Sequence, residues 1–162
     1  RIIETLYTRL GWPLKLEEIL CLTDAYAGPR YGSWLFPGTV ETLRAIYERG
    51  ILMGLIANTA WPGYSMDRAY RGVGLIDYLR VRVYSGDEGI SKPNVEIFRI
   101  AERRSKMEGK KLLYVGNNVK TDIEGAKNAG WAAALKRSSM VTSDGLADFE
   151  LDETPELLNF LE

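Results

Sequence analysis

Apolar residues follow two rhythms along this chain, helical spacing and short continuous runs, and the two alternate. Residues 1–34 read as helical: Leu16, Ile19, Leu20 and Thr23 recur on one side, with Glu17, Glu18 and Asp24 on the other. Gly28-Pro29-Arg30-Tyr31-Gly32 breaks that stretch. A new helix is predicted from Pro37-Gly38-Thr39, with Val40, Leu43, Ile46 and Tyr47 as its stripe and Gly50 where a C-terminal cap belongs. Ile51–Ala57 is a continuous apolar run. After a helix and a glycine it predicts a parallel strand buried on both faces.

The alternation then repeats. A helix is predicted near Met66–Val73 and a strand over Val81–Ser85. Asn94 caps a helix whose inward stripe is Ile97, Phe98 and Ala101. A strand over Lys111–Val115 leads into Gly116-Asn117-Asn118 and a helix to Ala129, closed by Gly130. Trp131–Leu135 is a fourth strand, and residues after Thr154 form a short last helix. This order predicts an α/β fold, a Rossmann-like three-layer α/β/α arrangement around a parallel sheet, over residues 35–162. Ligands of such sheets bind beyond the carboxyl ends of the strands. Those ends are Ala57-Asn58-Thr59, Ser85-Gly86-Asp87 and Gly116-Asn117-Asn118, and polar residues gather at all three.

Composition narrows the chemistry. A length of 162 residues suffices for one domain with a core, and 46% hydrophobic with 27% charged residues is ordinary for a soluble globular protein. A net charge of −1 gives no excess to draw the chain to nucleic acid or an acidic membrane. The longest apolar run, Ile51–Ala57, is too short to span a bilayer. Cys21 is the one cysteine, so no intrachain disulfide forms and a cytoplasmic location is expected. With no His, Ser-His and Cys-His catalysis and His-based metal sites are excluded, and any metal would be a hard ion held by oxygen. The first residue is Arg1, so the sequence is expected to derive from a longer parent chain.

Pro37-Gly38-Thr39-Val40-Glu41-Thr42-Leu43, Ser91-Lys92-Pro93-Asn94-Val95-Glu96-Ile97-Phe98, Tyr114-Val115-Gly116-Asn117-Asn118-Val119-Lys120-Thr121-Asp122 and Ala129-Gly130-Trp131 follow one another in order. Together they resemble the core of the haloacid dehalogenase superfamily, over roughly residues 35–162. Residues 1–34 would then be the remnant of a helical cap. The resemblance implies a hydrolase, most simply a Mg²⁺-dependent phosphatase acting on a small phosphorylated metabolite. In that family an aspartate at the end of the first strand is the nucleophile. A Ser or Thr after the second strand and a lysine bind the phosphoryl oxygens, and acidic residues after the fourth hold Mg²⁺.

The resemblance assigns Lys92 as the catalytic lysine, with Asn58, Thr59 and Lys92 toward phosphate and Asn117 and Asp122 toward the metal. It also implies departures. No Asp-x-Asp pair precedes the cap-like segment, Ala57 occupies the hydroxyl position, and Asn117 replaces the first acidic residue. An inactive binding or assembly protein and a metal-independent dehalogenase therefore stay open. Weak Mg²⁺ binding is expected, since a neutral amide serves a hard dication less well than a carboxylate.

Each assignment has a plainer reading. Lys92 is otherwise a solvated lysine before a helix. Thr121-Asp122-Ile123-Glu124 fits a capping box, with Thr121 as cap. Asn118 and Thr59 fit turns, Asp87 and Glu88 a solvated loop, and Trp12, Trp34 and Trp61 either packing or a pocket between cap and core. In the family the nucleophile strand lies between the strands read here at Ile51–Ala57 and Lys111–Val115. Without it the sheet would have an open slot. A peptide from the same gene or a strand swapped from a second copy is expected to fill it; failing these, the two edges would pair directly.

Overall fold

The computed structural model describes residues 2–12, 14–26, 35–138, 141 and 145–161. The helical reading of the N-terminal region resolves into two helices that pack on each other, α1 (Ile2–Arg9) and α2 (Leu16–Tyr26). Gly11, at φ 71°, ends the first: its N–H and that of Trp12 return to the carbonyls of Thr8 and Tyr7. The break expected at residues 28–32 lies outside the described residues, as does Trp34.

The core begins with α3 (Thr39–Glu48), and Gly50 closes it as expected. Gly50 N–H bonds to Tyr47 O and Ile51 N–H to Ile46 O. The chain continues through β1 (Met53–Ala57), α4 (Gly63–Gly72), β2 (Leu79–Tyr84), the short α5 (Ser85–Glu88) and α6 (Val95–Ser105). Then come β3 (Leu113–Gly116), a π-helical turn (Val119–Ile123), α7 (Glu124–Asn128), β4 (Ala132–Lys136), β5 (Phe149–Leu151) and a 3₁₀ helix (Thr154–Phe160). Asn94 caps α6 as its position suggested, its side chain accepting from Glu96 N–H at 2.9 Å. The three-residue β5 has no hydrophobic period of its own and was not anticipated.

Every strand pairing is parallel, and helices cover both faces. On one face Ile56, Val83, Ala133 and Leu135 pack with Ile97 and Phe98 of α6 and Ala126 of α7. On the other, Ala134 and Leu151 pack with Ile46 of α3 and Leu157 of the 3₁₀ helix, while Leu55 and Ala57 pack toward Tyr70 of α4. This is the expected three-layer α/β/α fold, with one departure in the middle.

β1 pairs with β2, and β3 with β4 and β4 with β5, but β1 and β3 are not bonded to each other. The two half-sheets face across that break, where the Tyr114 hydroxyl of β3 donates to the Ile56 carbonyl of β1 at 3.0 Å. Burial follows the break. Four of the five residues of β4, which has a neighbour on each side, are buried. Gly54 of β1 is exposed and Val115 of β3 is 38% exposed. Direct pairing of the two edges, one of the expected outcomes, does not occur.

Candidate active site at the carboxyl ends of β1 and β3

The site is built on a local irregularity after β3. Asn118 opens the π-helical turn, its side chain accepting from Thr121 N–H at 2.9 Å and its carbonyl taking both Asp122 N–H and Ile123 N–H. Asn118 is therefore the cap, in place of Thr121. The wide turn aims Asp122 back at the end of β3. There Asp122 Oδ2 accepts from Asn117 N–H and Asn118 N–H, both at 3.1 Å. Gly116 makes the approach possible, since a Cβ there would lie 2.3 Å from Asp122 Cβ.

The other oxygen, Asp122 Oδ1, meets Lys92 Nζ at 2.6 Å. Lys92 is 9% exposed and Asp122 5%, so this is a buried ion pair, and the solvated-lysine reading is set aside. Lys92 Nζ also donates to the Tyr114 hydroxyl at 2.6 Å. Burial, with the charge of Asp122 beside it, pushes the Tyr114 phenol well above its usual range. Tyr114 thus stays a neutral hydroxyl that accepts from Lys92 and donates to Ile56.

The loop after β1 fixes Lys92 from its backbone side. Asn58 Nδ2 donates to Lys92 O and Asn58 Oδ1 accepts from Lys92 N–H, each at 2.9 Å. That reciprocal clamp uses the amide, so Asn58 orients Lys92 where the resemblance assigned it to phosphate. Thr59 is likewise engaged. Its hydroxyl accepts from Trp61 N–H at 3.0 Å and lies 3.7 Å from the Met66 sulfur, while Ser85 Oγ accepts from Thr59 N–H and donates to Thr59 O. The turn reading describes this geometry.

Asp87 caps α4 with both oxygens 3.1 Å from Gly63 N–H, and Glu88 pairs with Arg104 at 2.8 Å. Trp12 stands exposed with its ring 6.0 Å from that of Tyr7. The structure thus brings Asn58, Lys92, Asn117 and Asp122 together and leaves Thr59 in a neighbouring turn. Tyr114 and Ser85 were not singled out from sequence. The available signal for Tyr114 was a tyrosine inside an apolar strand, whose hydroxyl must find a partner when buried.

A basic and an acidic side chain are thus paired at the carboxyl ends of parallel strands, beside an open place in the sheet, where ligands of such folds bind. The comparisons give the chain a family. The profile of haloacid dehalogenase-like hydrolases matches residues 30–130, and the chain belongs to that family. It is 28% identical over 166 residues to the glyceraldehyde 3-phosphate phosphatase of Methanopyrus kandleri, covering 98% of this chain and 70% of that protein. It is 33% identical over 111 residues to the protein of the same name from Methanothermobacter thermautotrophicus, covering 67% of this chain but 47% of that one. Among solved structures, the HAD phosphatase of Thermococcus onnurineus superposes with a TM-score of 0.70 at 25% identity, over 98% of this chain and 69% of that one. The chain thus spans from about half to 70% of the length of these relatives.

A Mg²⁺ ion, which the family implies, does not fit the donors this chain supplies. Asp122 has both oxygens engaged, Asn117 is neutral, and the described residues contain no group of three acidic or soft ligands. Titration calorimetry is expected to detect only weak Mg²⁺ binding to residues 1–162, tightened by Asn117→Asp. Tight binding unchanged by that substitution would remove Asn117 and Asp122 from the metal assignment.

Proposed function

We propose that this chain is the core and part of the cap of a hydrolase that removes phosphate from a small phosphorylated metabolite. The observation that carries the reading is the buried Lys92–Asp122 pair, 2.6 Å apart, next to the break between β1 and β3. A strand entering that break would place its last residue beside Lys92. If that residue is an aspartate, its carboxylate attacks phosphorus as the ester P–O bond breaks, and the ester oxygen takes a proton from water and leaves as the alcohol. Water then cleaves the acyl phosphate. Lys92 offsets the negative charge gathering on the carboxylate and phosphoryl oxygens. Tyr114 and Asp122 hold its ammonium and Asn58 holds its backbone, so little is lost to reorganisation during the reaction. The phosphatase names of relatives that match most of the chain support phosphate esters as substrates.

A second reading, a member that binds without turnover, is favoured by Ala57 and Asn117 at positions where the family pattern has a hydroxyl and a carboxylate. Release of phosphate from small sugar phosphates by the complete protein distinguishes the two. Under the first reading Lys92→Met lowers kcat by about 10²-fold or more, the scale of losing one preorganised charge-stabilising group. Equal rates in the two proteins would reject it.

A further inference from the structure

The hydroxyls around the site are held in different ways. Those of Thr59 and Ser85 are tied into the turn after β1. The Thr121 hydroxyl is directed at Asp122 Oδ1, 3.5 Å away. Tyr114 is placed otherwise. Its oxygen accepts from Lys92 Nζ at 2.6 Å, and its proton goes to the Ile56 carbonyl at 3.0 Å. Phe98 and Trp131 stand against its ring, at 5.3 and 6.3 Å between centres, so the hydroxyl has little freedom to swing.

Tyr114 reaches Ile56 from the β3 side, across the break, so that carbonyl belongs to the edge of β1 with which a filling strand would pair. A strand in the break supplies backbone N–H groups to that edge and takes over the Ile56 carbonyl. The Tyr114 proton then needs a new acceptor, because a hydroxyl buried without one is costly. Lys92 still donates to its oxygen, so the proton points away from the ammonium. What gathers beside Lys92 in the proposed reaction is phosphoryl oxygen. We infer that Tyr114 is a phosphoryl-binding residue: in the filled sheet its hydroxyl donates to the same anion that Lys92 neutralises. It thereby supplies from β3 the hydroxyl that β1 lacks at Ala57, the residue next to Ile56.

The inference rests on the proposed function for the filling strand and for the anion, and its test separates the two. Inorganic phosphate is titrated by calorimetry into the complete protein, its Tyr114→Phe variant and the double variant Tyr114→Phe/Ala57→Ser. Tyr114→Phe keeps the ring and removes only the hydroxyl. It should weaken phosphate binding roughly tenfold, the scale of one hydrogen bond to a charged group, and Ala57→Ser should restore the affinity by placing a hydroxyl at the end of β1. A residue that served only to hold Lys92 would not be rescued from position 57. Absence of phosphate binding, unchanged affinity in Tyr114→Phe, or a loss that Ala57→Ser leaves uncorrected overturns the inference. The ζ-carbon NMR resonance of Tyr114 in the unsubstituted protein gives a reading that does not depend on how the variants fold. It should move saturably with phosphate, and a resonance that stays in place also overturns the inference. Binding that follows the expected pattern, without release of phosphate from small sugar phosphates, keeps the inference and removes the hydrolase reading. Release of phosphate by a protein whose Tyr114→Phe variant binds phosphate as tightly as the wild type does the reverse.

Discussion

Asp122→Ala is expected to lower the free energy of unfolding by about 3–5 kcal/mol, because it strands a buried ammonium. Lys92 is 9% exposed and its ammonium bonds to the Asp122 carboxylate and the Tyr114 hydroxyl. With the carboxylate gone, one neutral oxygen is left to compensate a full charge. Asn117 N–H and Asn118 N–H lose their acceptor as well, which adds to the loss. The double variant Lys92→Met/Asp122→Asn is expected to lose much less, since the charge leaves and an amide oxygen still accepts from the two N–H groups. Urea unfolding of the wild type, the two Asp122 variants, Lys92→Met and the double variant gives the coupling between the positions. A loss under about 0.5 kcal/mol for Asp122→Ala, the range of an ordinary surface change, would mean that the pair is not buried as described.

The second large effect concerns the break in the sheet. Joining to this chain a strand-length segment that enters between β1 and β3 is expected to raise its unfolding free energy by at least about 3 kcal/mol. That segment would pair with both open edges and cover apolar surface at about 25 cal/mol per Å². Against a usual total of about 5–15 kcal/mol, this decides whether the fold is robust or marginal. The segment would come from the parent chain or from a second copy by swapping, and light scattering separates these sources. A monomer of 18.2 kDa that unfolds cooperatively at ordinary temperature, and gains nothing from the added strand, would show that Tyr114 alone closes the break.

The alternation of helix and strand was legible in the sequence because each apolar run was bounded by a glycine or an asparagine with a mechanical role, Gly50 and Asn94 among them. The strand β5 was not, since three residues carry no period and its place is set by pairing with β4. Lys92 and Asp122 were visible through motif spacing, but their pairing was not, because the two are brought together by the π-helical turn. That turn replaces the capping box that the letters Thr121 to Glu124 suggest. Asn58 shows the reverse limit. Assigned to phosphate by the motif, it lies next to Lys92 with its amide bound to that residue's backbone.

Under the proposed function, residues 1–162 supply the lysine and its supports, and the attacking carboxylate belongs to the strand that fills the break. The most direct measurement is turnover of p-nitrophenyl phosphate by the purified polypeptide of these residues alone, beside its Lys92→Ala variant. No hydrolysis above the buffer rate is the result predicted. Turnover that follows the polypeptide through purification and disappears in Lys92→Ala would contradict it, because the nucleophile would then lie within these 162 residues.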